Sequence, residues 1–308
     1  MAFQTRGTFP QAYDGVSPKF VTALLGKELR ELPRIWPDAY RRKKSNKKFE
    51  RFLTVTPFGD VPEKGEGERY SSDYIRPGWQ KDITPVEFGL AFVSTETVGE
   101  DDEIDVIAMK AKLMAFVARV TQEKYAARPF NNGFTTHLTP DGLSLFNTAH
   151  LLKGGGTFKN RPSNDADLSY SALVQAMVDV QTDTKLESGQ LTDMVTNWIL
   201  WVHPSNEMLA YQLTESAQSP EDATNATNPL KTKRRITVKV NPYFSDADAW
   251  FLEAADVETT GMVAVERIPI VQAPVRVDPW TENDIYKVRF RIAFDSFAAQ
   301  NIYGTAGA

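Results

Sequence analysis

Three histidines, His137, His150 and His203, are the chain's whole supply of imidazole, and it has no cysteine. Disulfides, thiolate nucleophiles and cysteine-held zinc are therefore excluded. The histidine spacing matches no helical His-x-x-x-His zinc pair, so each reads as a structural histidine. The competing reading gathers His137, His150 and His203 round a metal ion in a hydrolase, and stoichiometric zinc or manganese would mark it. Ser144 lies in Gly-Leu-Ser-Leu-Phe, which lacks the second glycine of a nucleophile elbow. Gly65 and Gly67, like Gly154-Gly155-Gly156, are followed by no Gly-Lys-Ser/Thr, so neither stretch is a phosphate loop. Glu100-Asp101-Asp102-Glu103 lacks calcium-loop spacing and reads as charge placed at the positive end of a helix dipole. Acid–base carboxylate pairs converge only in three dimensions, and no local pattern singles one out here. The chemistry-bearing residues thus predict no catalytic centre, no metal and no cofactor.

The elements that would position such residues are clearer than the residues themselves. Asp101 to Phe146 reads as a long helix running into a turn-rich connector. Ile104, Ile107, Ala108, Ala111, Ala115 and Ala118 share one helical face. Val106, Met109, Leu113, Phe116, Val117 and Val120 form a second apolar stripe beside it. Only Asp105, Lys110, Lys112 and Arg119 remain as a polar edge, so the helix is expected to be packed on more than one side. Pro129 and Asn131-Asn132-Gly133 are expected to stop it.

A chain of 308 residues can bury a sizeable core in two or more subdomains. No apolar run approaches the roughly 18–20 residues that span a bilayer. Met1-Ala2-Phe3-Gln4 opens no secretory signal, so the expectation is synthesis in a cytoplasm and no signal-directed export. The net charge of −5 hides an asymmetry: residues 1–50 carry 11 Lys or Arg against 5 Asp or Glu. A basic arm on an acidic body can bind nucleic acid or the acidic body of another copy. Residues 1–48 read as an arm, with one short helix expected from Pro18 to Leu32. Its strongest charge run is Arg41, Arg42, Lys43, Lys44, Lys47 and Lys48, with no aromatic residue interleaved. Such a strip suits a phosphate backbone, an acidic neighbour or water, and disfavours base stacking.

Residues 49–98 read as a two-stranded excursion. Phe49, Arg51, Leu53 and Val55 alternate with Glu50, Phe52, Thr54 and Thr56, and the return strand is expected over Thr84 to Thr97. An isolated ribbon is marginal in water, so it makes sense lying across another molecule. Further on, a helix is expected over Asp167 to Leu186, capped by Asp167 or Ser169, with Leu173, Ala176, Met177 and Val180 inward. A strand over Trp198–Val202, a helix over Glu207–Glu215, and strands over Ile236–Val240, Ala249–Ala254, Met262–Ile268 and Asp284–Phe294 follow.

Several of these features together carry a resemblance. The spine helix runs into Arg128-Pro129-Phe130-Asn131-Asn132-Gly133. Asp141-Gly142-Leu143-Ser144-Leu145-Phe146-Asn147-Thr148-Ala149-His150 comes next. Val202-His203-Pro204, Asn225, Asn228, Val238-Lys239-Val240-Asn241-Pro242, Trp250-Phe251-Leu252 and Ile302-Tyr303-Gly304 follow in order. The chain resembles the major capsid proteins of tailed bacteriophages, whose shell fold is of the Hong Kong 97 type.

The resemblance implies an α+β fold with a peripheral domain (residues 99–150 and 256–308) and an axial domain (151–255). It also implies an extended β-hairpin loop (49–98) and an N-terminal arm (1–48), with the final strands beside the spine helix. It implies a virion protein that forms hexamers and pentamers in an icosahedral head around double-stranded DNA, assembled in the host cytoplasm. Phe58, Lys64, Tyr70, Tyr74 and Trp79 become expected inter-subunit contacts, and Arg41–Lys48 a contact strip touching packaged DNA without sequence preference. Some family members crosslink through a lysine in this loop; nothing carries that role to Lys64. A separate scaffold protein, or one removed before Met1, is implied, with a portal and possible decoration protein as further partners. The rival of the same fold is an encapsulin-like shell holding cargo enzymes.

Overall fold

The computed structural model describes residues 13–14, 27, 33–95, 101–102, 106–191, 195–218, 227–255 and 261–307. In chain order the main elements are β1 (Arg41–Lys44), β2 (Glu50–Thr56), β3 (Arg76–Ile83), β4 (Val86–Ser94) and α1 (Val106–Asn131). Then come α2 (Tyr170–Thr182), β5 (Asn197–Val202), α3 (Glu207–Glu215), β6 (Arg235–Val240), β7 (Trp250–Ala254), β8 (Met262–Val277), β9 (Asp284–Ser296) and β10 (Ile302–Thr305). The chain divides into two compact units.

The first unit comprises residues 1–50, 84–126 and 264–293. Its sheet has the order β1-β8-β9-β4. β9 and β4 are antiparallel, and Phe88 lies opposite Phe290 and Phe92 opposite Tyr286. Both pairs stack at 4.8 Å, the cross-strand contact that stabilises a sheet. α1 crosses this sheet: Tyr125 meets Phe88 edge-on at 5.0 Å, and the Lys110 ammonium lies 5.6 Å over Phe92. Ile107, Ala108, Ala111, Ala115 and Ala118 are buried, as their spacing requires. The chain after Pro33 is stapled to the helix. The Glu123 carboxylate accepts the Ile35 and Trp36 N–H groups at 3.1 and 3.0 Å, and the Tyr40 hydroxyl donates to the Ala126 carbonyl.

The second unit comprises residues 51–83, 127–263 and 294–308. Its sheet has the order β6-β5-β7-β10, with β6 parallel to β5 and both other pairs antiparallel. β7 is buried at every residue because both faces are covered, and its single charged residue, Glu253, accepts the Trp201 indole N–H. α2 starts at Ser169, whose hydroxyl accepts the Ala172 N–H, and buries Leu173, Ala176, Met177 and Val180. The Phe146 ring is held between two glycines: a Cβ on Gly133 or Gly304 would sit 2.6 or 2.7 Å from it. Phe134, Phe146, Phe251, Phe130 and Phe244 pack as one ring cluster. Buried Asn160 ties this cluster to the chain end. Its amide donates to Leu145 and Ala299, its side-chain oxygen accepts the Asn147 N–H, and its backbone carbonyl accepts the Gly304 N–H.

Several expectations are corrected. Asp101 and Asp102 pair as a short strand with Tyr13 and Asp14, so they are not the first turn of α1. Glu100, Glu103 and all of the expected arm helix except Lys27 lie outside the described residues. Pro129 does not end α1; it lies inside the last turn, where a missing N–H forfeits a single ladder bond. Phe130, buried in the ring cluster, holds that turn in place. Arg119 is buried rather than on a polar edge, donating to Gln122, and burial pushes its guanidinium down to about 10. In the second stripe Met109, Leu113, Phe116 and Val117 are exposed. The ribbon's return strand is β3, while Val86–Ser94 pairs with β9 instead. Of the final strands, β8 and β9 lie largely in the first unit with most of α1, while β10 pairs with β7 in the second unit's sheet. Residues 127–150 and 294–308 accordingly fall in the second unit.

Phe146→Ala is expected to cost about 3–5 kcal/mol, because flanking glycines have no side chains with which to refill the hole. A urea titration followed by tryptophan fluorescence checks it; a loss under about 1 kcal/mol would contradict the clamp.

Candidate functional site

Each histidine is committed to its own neighbours. His150 is buried, with Nδ1 2.7 Å from Asp141 Oδ2 and Nε2 3.1 Å from the Leu145 carbonyl. Burial pushes the Asp141 carboxyl up, but hydrogen bonds from His150 and Thr139 and the His150 charge outweigh it, leaving it at about 2. Ser144 does not complete a triad with this pair, since its hydroxyl donates to the Phe146 carbonyl and accepts from Asn147. His137 Nε2 lies 2.9 Å from Ser296 Oγ and 3.3 Å from Asp295. His203 meets Ser205 and caps a single 3-10 turn. No three metal-ligating side chains converge among the described residues. The hydrolase alternative loses its geometric basis.

What the fold does present is surface that its own chain leaves uncovered. Residues 58–77 of the ribbon are exposed without a break. Phe58, Lys64, Tyr70 and Tyr74 all lie there, with the Lys64 ammonium 4.9 Å over Tyr70 and the Arg76 guanidinium 4.8 Å over Tyr74. Trp79 does not join them. It sits at the ribbon root, where its indole N–H donates to the Leu151 carbonyl and the Lys153 ammonium lies 4.3 Å over its ring. The root is further fixed by the Lys81 ammonium, which donates to Leu138, Asp295 and Ser296 within 2.6–3.0 Å. Phe52 stacks on Phe297 at 5.1 Å. Glu187 is buried at the root and accepts the Lys153 N–H; burial pushes its carboxyl up. The outer ribbon is thus a presented element on a fixed base.

The basic strip occupies β1, an edge strand with all four side chains exposed. Two cations are engaged within the unit, Arg42 by Glu266 and Lys43 by Glu50. Arg41, Lys44, Lys47 and Lys48 form no ion pair among the described residues. Other apolar groups in water include the outer stripe of α1, Met208, Leu209 and Tyr211 on α3, and Trp280, which is 92% exposed between β8 and β9. That turn is built by Asp278, which accepts the Trp280 N–H on its side chain and the Glu282 N–H on its carbonyl. Sequence reasoning missed Trp280, although Asp-Pro-Trp between two strands is a turn that points an aromatic outward. Among the described residues no helix is long and apolar enough to cross a membrane.

A spine helix laid on one sheet, a second sheet with flanking helices, and a projecting ribbon define a shell-building protein of the Hong Kong 97 type. The model of the phage capsid protein family matches residues 80–302, and the chain belongs to that family. No curated protein matches the chain. Among solved structures it is similar to a virus-like particle from Pyrococcus furiosus: 10% identity, TM-score 0.53, covering 93% of this chain and 98% of that one. The capsid of a native GTA particle gives 10% identity and TM-score 0.55 over 90% and 92%. The capsid of Ralstonia phage GP4 gives 12% and 0.54 over 97% and 91%. At these identities the structures share the fold alone. Family and fold together make this a structural protein of a phage capsid, not an enzyme.

His137 supplies a pH dependence. Burial pushes its imidazole down from 6.5 to about 4, with Asp295 opposing and Lys81 assisting. Between those values the unfolded chain binds the proton more readily, so stability falls as pH falls from 6.5 to 4, by at most about 3 kcal/mol. His137→Gln should flatten this loss between pH 7 and pH 4.5 in urea titrations; an unchanged slope would contradict the assignment.

Proposed function

We propose that the chain self-assembles as hexamers and pentamers into the icosahedral head shell that encloses a phage double-stranded DNA genome. Assembly takes place in the host cytoplasm, with a separate scaffold protein and a portal as partners and a decoration protein as a further candidate. The observation that carries this reading is the ribbon: an uninterrupted exposed stretch, apolar in part, on a root its own chain has immobilised. Apolar side chains left in water gain from a partner, and a fixed root lowers the entropy lost when they are covered. A shell engages several modest contacts per copy, so none need be strong alone. Phe58, Tyr70 and Tyr74 are contacts to a neighbouring copy in this reading, and the basic strip faces an acidic neighbour or the genome.

Electron microscopy and size-exclusion chromatography of the protein, alone and co-expressed with its neighbouring genes, test the reading. Closed shells, hexamers or pentamers are expected; a monomer under every condition would overturn it. Replacing residues 58–75 with a short Gly-Ser linker should leave the urea midpoint unchanged and abolish shells.

A further inference from the structure

The two most highly charged exposed segments of the chain are opposite in sign. Residues 57–75, the outer ribbon, hold five carboxylates against two cations, a net charge of −3. Residues 41–48 hold six cations and no carboxylate. Two of those cations are neutralised by Glu266 and Glu50, leaving Arg41, Lys44, Lys47 and Lys48. The ribbon's own cations do not balance its acids. Lys64 is drawn over the Tyr70 ring, and Glu63 and Glu66 are exposed, with no ion pair or hydrogen bond among the described residues.

We propose that the outer ribbon of one copy docks on the Arg41–Lys48 strip of a second copy, with Glu63, Glu66 and Glu68 set against Arg41, Lys44, Lys47 and Lys48. The inference deepens the shell reading and rests on it: it assigns the strip's partner, which that reading leaves open between an acidic neighbour and DNA.

Four features favour the second copy. The four unpaired cations of the strip nearly match the net charge of the ribbon. β1 is an edge strand with both faces wet, a ledge on which an extended segment can lie, and its lysines discourage indiscriminate strand pairing. The strip also has no aromatic platform for bases. Val61, 95% exposed, and Tyr70, 87% exposed, bring apolar area to the same contact, and Tyr70 can cover the Arg41 guanidinium. Complementary charge of this kind fixes partner and register more than it adds affinity.

The test is a charge swap. R41E/K44E/K47E/K48E and E63K/E66K/E68K should each lower shell yield at least about tenfold at physiological salt, since like charges set face to face cost more than the 1.4 kcal/mol that tenfold represents. The combined variant should restore assembly. Because the chain has no cysteine, a second measurement is clean: K44C and E66C proteins are mixed and treated with a short bis-maleimide. Mixed dimers should exceed those from either protein alone at least about tenfold and fall in high salt. Shells that form normally in all three charge variants, or crosslinking no better than the single-protein controls, overturn the docking and leave the shell reading intact. Strip variants that assemble fully but package less nucleic acid also overturn it and assign the strip to DNA. Crosslinked dimers with no shell under any condition would instead retain the contact and remove the shell.

Discussion

The ring of Phe146 fits only because two of its neighbours have no side chain. Gly133 follows the spine helix and Gly304 lies in the last strand, so the clamp brings together positions 171 residues apart in sequence. Asn160 completes the joint by bonding to Leu145, Asn147, Ala299 and Gly304. A buried amide with every group satisfied specifies one arrangement, since any slip would strand polar atoms away from water. The second sheet depends on this joint, because β10 is its edge and enters it through Tyr303, whose hydroxyl donates to buried Asp179. Burial and the Asp179 carboxylate push that phenol far above its usual range, so alkaline pH does not strip the bond of its proton.

A rigid interior matters here because the surface is unfinished. The outer stripe of α1, the exposed side of α3, the ribbon and the Trp280 turn all leave large apolar groups in water. Scattered exposed apolar residues are ordinary in monomers. Four clusters on elements fixed by hydrogen bonds and ring stacks describe a protein whose burial is completed by other molecules. Rigid presentation lowers the entropy lost on contact, which suits a protein that must make the same contacts many times over.

Much of this was legible in the sequence where a single physical signal dominated. The apolar runs of β5 and β7, the inward face of α2 and the alternation of β9 all follow from burial periodicity. The motif residues Asn132-Gly133, Phe146 and Tyr303-Gly304 stood in the right order, though only three dimensions show that they touch. β3 was missed because Arg76-Pro77-Gly78-Trp79 has neither alternation nor strand propensity. Its glycine is there because a Cβ at Gly78 would lie 2.4 Å from Thr54 Oγ1, a tertiary constraint with no local signature. Arg119 was misplaced for a similar reason: its partners are Gln122 and the field of Glu123 and Glu266, the last nearly 150 residues away. The outer stripe of α1 was read correctly as apolar and wrongly as covered, because composition records that burial is wanted and not which molecule provides it. Of the expected loop contacts, Trp79 sits at the root, bonded to Leu151 and beneath Lys153, whereas Lys64 pairs with Tyr70 and Tyr74 with Arg76 farther out, and no pattern distinguishes an aromatic at a root from one at a tip.

The distribution of indoles gives the molecule a built-in optical label. Of six tryptophans, Trp36, Trp198, Trp201 and Trp250 are buried and Trp79 is half-covered, whereas Trp280 stands almost wholly in water. Emission from the four buried rings lies toward the blue and is shielded from dissolved quenchers; the red, iodide-accessible fraction belongs chiefly to the β8–β9 turn. Any event that covers that turn shifts the spectrum without a dye, and one that leaves it bare does not. The turn that contributes least to the core therefore reports most directly on what the surface is doing.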